Sequence, residues 1–250
     1  MAPFGASRAG LMSVAGDDIP DSVVYQLKTP ISGLSDGDTV NTWPAVEGKP
    51  DATSSSLIYS ENEFNEIDAV SGDGIDDILN CGSDSTDIIG GTEFTWAMTI
   101  QTQDTDRIIM GFEDENIDSF CRIDFRDDGD IQLRMRDDTT NITTLVADSP
   151  GIRDGNPYSI VWVRGDDDGG DNWELYIGQQ GQTIGQEPLS VDSDGFDLGE
   201  FTSPADDPDD FTLFARNKDD FHGDMFISQF ELANDAWSET EIDDFHERVL

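Results

Sequence analysis

The sequence predicts an all-β fold, an antiparallel β-sandwich with one short helix at the C-terminus. Segments in which large apolar residues alternate with small or polar ones recur along the chain, and this period of two is that of a half-buried strand. Clusters of Gly, Asp and Asn, which tolerate positive φ, separate these segments. Strands at this spacing favour a sandwich, and the lack of strand–helix–strand alternation argues against a parallel sheet.

The alternation is clearest at residues 94–100, where Phe94, Trp96, Met98 and Ile100 would share one face of a strand. Trp96 and Trp162 lie mid-strand among apolar neighbours and are predicted to be core residues. The other predicted strands are residues 23–27, 75–79, 107–112, 120–126, 131–136, 158–164, 173–178, 211–216 and 226–232.

A helix is predicted at the C-terminus. Ser238 and Glu241 have the spacing of a capping box, and Ile242, Phe245 and Val249 follow at intervals that place them on one helical face. The tryptophan just before the cap is expected to pack on the first of these three apolar residues. Residues 21–250 are therefore expected to form one domain, preceded by an N-terminal arm at residues 1–20.

The composition is that of an extremely halophilic protein. The chain has 55 acidic and 13 basic residues, a net charge of −42, and 41 of the acids are Asp whereas only three bases are Lys. At about 1 M salt the Debye length is roughly 3 Å, so neighbouring carboxylates repel each other little. The acids are spread along the chain and apolar residues make up 36% of it, which argues against an acidic disordered tail. Nucleic acid is excluded as a partner, since its phosphates would be repelled.

The sequence also predicts where the chain folds and whether its two cysteines are bridged. No stretch reaches about 18 consecutive apolar residues, so no membrane span is predicted. Residues 1–16 lack the apolar core of a secretory signal, so we expect the chain to fold in the cytoplasm of the cell that makes it. Cys81 and Cys121 lie in strand-like segments and are interpreted as two buried thiols, with a single bridge as the alternative.

Several segments resemble laminin-G-like, concanavalin-A-like jelly-roll domains, in family order from about residue 23 to residue 250. These segments depart from the family's sequence pattern at two places. Gly72 stands where the family has Phe, and Gln179 and Gln180 stand where it has an Asn-Gly turn. The matching segments are LSDGDTVNTWP (34–44), AVSGDGIDDIL (69–79), FTWAMTI (94–100), YSIVWVR (158–164), WELYIG (173–178), LFARN (213–217), FHGD (221–224) and WSETEI (237–242).

The resemblance implies a jelly-roll sandwich, a fold that hosts lectins, glycosidases, adhesive modules and virion proteins. The segment FGASRAGLMS (4–13) resembles the start of structural proteins of tailed viruses. With the halophilic composition, this predicts a non-enzymatic virion protein of a haloarchaeal virus: a capsid decoration, turret or tail-fibre component at the virion surface. Residues 1–20 would bind other virion proteins, the chain would form a homo-oligomer, and its loops would contact host surface glycans. A lectin-like module of a halophilic cell is the alternative, and a sandwich-fold glycosidase is third.

No catalytic motif is predicted. The acidic residues of segment 241–247 resemble the Glu-x-Asp-x-Glu strand motif of sandwich glycosidases, but their spacing differs and the segment is predicted to be helical. His222 and His246 lack a partnered Ser or Cys motif, so a hydrolytic triad is not supported. The integrin-type tripeptide at residues 164–166 is interpreted as a solvated loop.

Members of this fold often carry a structural Ca²⁺, which takes six to eight oxygen ligands. Two Asp-rich loops have the required oxygen density, and the metal ligands are predicted among their carboxylates, although Asp-rich turns are abundant in a halophilic chain. No other cofactor is expected. The predicted ligands are Asp166, Asp168, Asp171, Asp192 and Asp194.

Overall fold

A computed structural model of the chain describes most of the sandwich. The residues it describes are 19–45, 49–54, 56–64, 66–82, 93–104, 108–113, 120–126, 128–136, 142–148, 150–165, 172–193, 211–215 and 223–250.

The described residues form two antiparallel sheets and one helix, which confirms the predicted fold class. The helix is α1 (Glu239–Val249). The strands are β1 (Val23–Lys28), β2 (Thr42–Trp43), β3 (Ala52–Ser54), β4 (Ile58–Ser60), β5 (Ala69–Asp73), β6 (Leu79–Asn80), β7 (Phe94–Thr102), β8 (Ile108–Glu113), β9 (Phe120–Phe125), β10 (Ile131–Arg136), β11 (Ile142–Ala147), β12 (Tyr158–Gly165), β13 (Asn172–Gln179), β14 (Gly185–Glu187), β15 (Ser190–Ser193), β16 (Thr212–Leu213) and β17 (Asp224–Ala233).

Sheet A has eight strands in the order β14-β13-β12-β7-β17-β5-β4, with β1 also paired to β17. Sheet B has nine strands in the order β15-β11-β10-β9-β8-β16-β6-β3-β2. Neighbours that are distant in sequence, such as β7 and β17, pair over eight positions from Met225 opposite Thr102 to Ala233 opposite Thr95. β1 and β17, the first and last strands of the described chain, also pair with each other in sheet A.

The core lies between the inner faces of the two sheets. Trp43, Trp96 and Trp162 are fully buried there, so the predictions for Trp96 and Trp162 are confirmed. Trp96 packs edge-on against Phe211 and Phe230, with ring centroids 5.3 and 6.3 Å away. Each large apolar side chain buried in this way contributes on the order of 1.5–3 kcal/mol of transfer free energy.

The helix α1 packs on the outer face of sheet A. Ile242, Phe245 and Val249 are buried as predicted, and they contact a second apolar cluster of small and branched side chains on the strands beneath, including Ala97 and Val161. The capping box between Ser238 and Glu241 is present. Trp237 joins this cluster, which contains its expected partner Ile242, and its ring lies 5.7 Å from that of Phe245.

Gly178 allows the helix to approach β13 closely. A Cβ built at this position would lie 2.6 Å from Cε1 and 2.7 Å from Nδ1 of His246. The buried imidazole uses the space, with Nδ1 2.7 Å from Oγ of Ser159 and Nε2 2.7 Å from the carbonyl oxygen of Gln182. Nε2 therefore donates to that carbonyl, and the ring serves to fix α1 on the sheet.

Gly72 on β5 is in close contact with an aromatic side chain from the segment after β16. A Cβ at Gly72 would lie 2.8 Å from Cδ1 of Phe214, a fully buried residue held at φ 70° just after β16. The space beside residue 72 is therefore filled by the Phe214 ring.

Nearly all of the predicted strands are confirmed to within a few residues, but the strand at residues 75–79 is wrong. Residues 74–76 form a turn, in which Gly74 has φ 74° and the Asp73 carboxylate accepts a hydrogen bond from the Ile75 amide at 2.9 Å. The Asp77 carboxylate accepts from the Asp73 amide, which closes the turn. Side-chain capping by these aspartates competes with a strand ladder, so the strand ends at Asp73.

Two other residue-level predictions have clear outcomes. Cys81 and Cys121 are both buried free thiols, as expected, and burial raises the pKa of the Cys121 thiol to about 12. The interpretation of residues 164–166 as a solvated loop is wrong for Arg164. β12 continues to Gly165, and Arg164 is fully buried, with its guanidinium carbon 5.4 Å from the Trp173 ring centre.

Among the residues that the structure describes, no helix has the length and hydropathy needed to span a membrane.

Candidate functional site

A groove on the outer face of sheet A lies between the start of α1 and strands β12 and β13. On β13, Asn172, Glu174 and Tyr176 alternate outward, while the residues between them point into the core. Strand pairing places Val163 and Gly165 of β12 opposite Glu174 and Asn172, so the floor of the groove consists of one branched side chain and one glycine. Residues 236–239, which lead into α1, form the other wall.

The groove consists of two adjoining clefts that share Tyr176 and Glu239. The first has a volume of about 320 Å³ and the second about 260 Å³; ligand pockets commonly have volumes of ~300–1,000 Å³. The first cleft is lined by Glu93, Val163, Gly165, Asn172, Glu174, Tyr176, Ala236, Trp237, Ser238 and Glu239. The second is lined by Tyr176, Ile184, Gly185, Gln186, Glu239, Ile242 and Asp243.

Glu174 organises the polar wall of the first cleft. One carboxylate oxygen accepts a hydrogen bond from the Tyr176 hydroxyl at 2.7 Å, and the other accepts from the Asn172 amide nitrogen at 3.5 Å. Burial, the hydrogen bond to Glu174 and the negative charges of Glu174 and Glu239 raise the pKa of the Tyr176 hydroxyl. The phenol thus stays protonated and donates, so the wall presents a fixed carboxylate with oxygen lone pairs to spare.

Trp237 supplies the aromatic part of the opposite wall. Its backbone N–H donates to Oγ1 of Thr95 at 2.9 Å, which ties the segment before α1 to β7. The indole is only 4% exposed, and its Nε1–H is buried with no hydrogen-bond acceptor among the described residues. The indole Nε1–H groups of the core residues Trp96, Trp162 and Trp173 are likewise buried with no acceptor among the described residues, so this donor does not by itself mark a ligand site.

A cluster of aspartates lies at a different end of sheet A. One carboxylate oxygen from each of Asp73, Asp76 and Asp77 lies within 4.8 Å of the others. Asp224 pairs with Asp73 across β17 and β5, and its backbone N–H donates to the Asp104 carboxylate at 3.2 Å. Asp224 is exposed, and its partial desolvation, followed by the like charges of Asp104 and Asp73, raises its pKa. This end of the sheet therefore concentrates negative charge.

The predicted metal ligands are placed only in part. Asp192 lies on the edge strand β15 and is exposed. Asp166, Asp168, Asp171 and Asp194 lie outside the described residues. Ca²⁺ binding at these loops stays a prediction.

The acidic segment at residues 241–247 lies in α1, as expected, and does not form a strand motif. Glu241 is held by the cap, where its carboxylate accepts from the Ser238 backbone N–H at 2.8 Å. His246 is buried beneath the helix, and His222 lies outside the described residues. Glu241 and His246 thus have structural roles and line neither cleft, whereas Ile242 and Asp243 of the same segment line the second cleft.

The groove itself was not predicted from the sequence. It combines residue 93, β12, β13 and the segment before α1, which lie more than a hundred residues apart at the extremes. One indication of the groove was present in the sequence, on β13. Polar residues alternate there with Trp173, Leu175 and Ile177, so one face of the strand is expected to be polar and to point outward. Trp237 was assigned only to packing on the helix.

No protein-family model matches the chain, and no curated protein matches it. Solved structures do match. A Trypanosoma rangeli sialidase in complex with sialic acid has a TM-score of 0.60 at 12% identity, over 92% of this chain and 34% of that one. The binding domain of botulinum neurotoxin serotype D has a TM-score of 0.55 at 14% identity, over 91% of this chain and 52% of that one.

The receptor binding domain of a botulinum neurotoxin C/D mosaic serotype is similar as well, with a TM-score of 0.57 at 12% identity, over 91% of this chain and 51% of that one. The chain thus spans about a third of the sialidase and about half of the toxin domains. At these identities the likeness establishes the β-sandwich fold alone. The neighbours include both an enzyme and binding domains.

Proposed function

We propose that this chain is a non-enzymatic adhesive protein that binds glycans in the groove beside α1. The observation that carries the proposal is the groove's composition, in which the aromatic side chains Tyr176 and Trp237 stand beside Asn172, Glu174 and Glu239. The lining of both clefts is mostly polar, and Tyr176 and Trp237 supply its aromatic part. Carboxylate and amide oxygens accept hydrogen bonds from hydroxyl groups, which sugars carry in abundance.

The solved structures support this proposal through what they hold. One similar structure is a sialidase in complex with sialic acid, and two others are binding domains of toxins. We extend to this chain only the general role of surface recognition, because the groove's residues are its own.

We further propose that the protein belongs to the virion surface of a haloarchaeal virus, as a capsid decoration, turret or tail-fibre component. The support comes from the sequence: 55 acidic residues, the resemblance to laminin-G-like jelly rolls and the virus-like segment at residues 4–13. Residues 1–20 would bind other virion proteins or further copies of the chain. The lectin-like module of a halophilic cell remains the alternative, and it would use the same groove.

The glycan proposal is tested with a variant that fills the groove. A Cβ at Gly165 would meet only ordinary contacts, 3.8 Å from Nδ2 of Asn172 and 3.9 Å from Cβ of Ala236, so Gly165→Leu is expected to fold and to occupy the floor. Binding of the purified protein to a panel of saccharides in molar KCl should be saturable, and Gly165→Leu should weaken it by more than about tenfold, or 1.4 kcal/mol.

The matched control is Glu187→Gln, because Glu187 lies on β14 in the same sheet and lines neither cleft. It should bind as the unaltered protein does. If no saccharide binds saturably, or if Gly165→Leu binds at full affinity while folded, the groove is not a glycan site. Release of cleaved sugar during the same assay would show that the protein is an enzyme.

The virion proposal is tested separately. The full chain should form a symmetric oligomer in molar salt, and removal of residues 1–20 should dissociate it, as measured by light scattering. A monomer that the deletion leaves unchanged would contradict an anchoring role for the arm.

A further inference from the structure

The charge of the groove restricts what it can bind. Glu93, Glu174 and Glu239 line the first cleft, and Glu239 and Asp243 line the second, whereas neither lining set includes a Lys, Arg or His. A ligand carboxylate or sulfate placed here would face these carboxylates without a counter-charge. Like charges at such short range strongly disfavour one another, most of all where water is partly excluded.

The hydrogen-bonding groups of the groove further restrict which ligands can bind. Glu174 accepts from Tyr176 and Asn172 and keeps oxygen lone pairs, so the ligand must supply donors. The Asn172 side-chain amide has a second N–H beyond the one that it donates to Glu174, so the ligand can also supply an acceptor. An ammonium group donates but cannot accept, whereas a sugar hydroxyl does both.

We infer that the groove binds neutral saccharides and discriminates against sugars that carry a carboxylate or sulfate. This inference rests on the proposed glycan-binding function and names the ligand class of the same groove. It also predicts that this chain discriminates against sialic acid, the sugar present in the similar sialidase structure, because sialic acid carries a carboxylate.

The test uses pairs of sugars that differ only at C6, where the neutral sugar has a hydroxymethyl group and the acid has a carboxylate. Galactose is compared with galacturonic acid and glucose with glucuronic acid, by calorimetry at pH 7 in molar KCl with a chelator present. At about 1 M salt the Debye length is roughly 3 Å, so the net charge of −42 is screened and only contacts within the groove can discriminate. The chelator removes divalent cations that could bridge two carboxylates.

The neutral member of each pair should bind at least about tenfold more tightly than its uronic acid. Glu174→Gln keeps the shape and an acceptor oxygen but removes the charge, so it should narrow this ratio, while Glu187→Gln on β14 should leave it unchanged. Tetramethylammonium and lysine methyl ester should not compete with the neutral sugar.

Each other outcome has a distinct meaning. Neutral sugars and uronic acids that bind equally well, or a uronic acid that binds more tightly, would overturn the inference and leave the glycan-binding function standing. Competition by the ammonium compounds would also overturn it, since the groove would then be a cation site. If no sugar of either kind binds, the proposed function itself fails.

Discussion

Glu231 is a fully buried carboxylate that holds the end of α1 on sheet A. The side chain of Arg248 places Nη2 3.0 Å from both Glu231 oxygens, and Gln26 donates to one of them at 2.6 Å. Glu231 has no exposed surface, and its partner Arg248 is 16% exposed at the side chain. A buried charge is tolerated only when it is paired and hydrogen-bonded, so the two residues depend on each other.

Arg248→Met should therefore destabilise the protein by about 3 kcal/mol, because it leaves the Glu231 charge buried with amide partners only. The free energy of unfolding in urea measures this. Lys28→Met, which removes an exposed cation, is the control and should change stability by less than about 0.5 kcal/mol. A second substitution, Glu231→Met, should recover part of the loss; a mild effect of Arg248→Met alone would show that the pair is dispensable.

Asp224 illustrates the opposite case, a carboxylate placed among like charges. Its pKa is raised by partial desolvation and by the charges of Asp104 and Asp73, so the folded state binds a proton more tightly than the unfolded state does. Stability is therefore lost as pH rises from about 3.9, the ordinary Asp value, through the higher folded-state pKa. Asp224→Asn should raise the melting temperature at pH 7 and not at pH 3.

The measurement is a thermal melt in chelator at moderate salt, since molar salt would screen the repulsion. Asp21→Asn, an exposed aspartate beyond the other end of β17, is the matched control. An equal gain at both pH values would mean that Asp224 charge is not the cause.

The helix α1 depends on its first turn. The Ser238 side chain accepts from the Glu241 backbone N–H, and the Glu241 carboxylate accepts from the Ser238 backbone N–H at 2.8 Å. Ser238→Ala should therefore cost about 1 kcal/mol of unfolding free energy, as measured by urea denaturation. Thr240→Ala, also exposed in the first turn but outside the box, should cost less. Equal losses would show that the box adds nothing beyond helix propensity.

The strands that the sequence predicted best are long and central. Residues 94–100 and 131–136 alternate apolar and polar residues because one face packs in the core, and they appear as β7 and β10 with nearly the same bounds. The strands that were missed include β2, β4, β14 and β15, which have two to four residues each and lie at or near sheet edges. Such strands are too short to show a period and are formed by pairing with their neighbours.

The groove could not be derived in the same way, because it depends on which elements meet. β13 shows an outward polar face in its own sequence, but nothing local places Trp237 or Glu93 beside it. That contact is set by the docking of α1 on sheet A, where Gly178 leaves space for His246. Tertiary packing therefore defines the candidate site, while local pattern defines the strands.

At the scale of the whole molecule, charge dominates. A net charge of −42 spread over 250 residues opposes the compact state through self-repulsion, whatever the quality of the core. Between about 0.1 M and 1 M salt the Debye length falls from roughly 10 Å to roughly 3 Å. Repulsion between neighbouring surface carboxylates is then largely removed, while the core between the two sheets is little affected.

The free energy of unfolding at pH 7 should therefore rise steeply between dilute buffer and molar KCl. The same titration near pH 4.1, the isoelectric point, separates charge screening from a general salt effect on apolar burial, because the net charge there is close to zero. If screening is the cause, the gain at pH 4.1 should be much smaller than the gain at pH 7. A flat response at pH 7 would contradict the halophilic interpretation. Equal gains at both pH values would show that salt acts by strengthening apolar burial in the core.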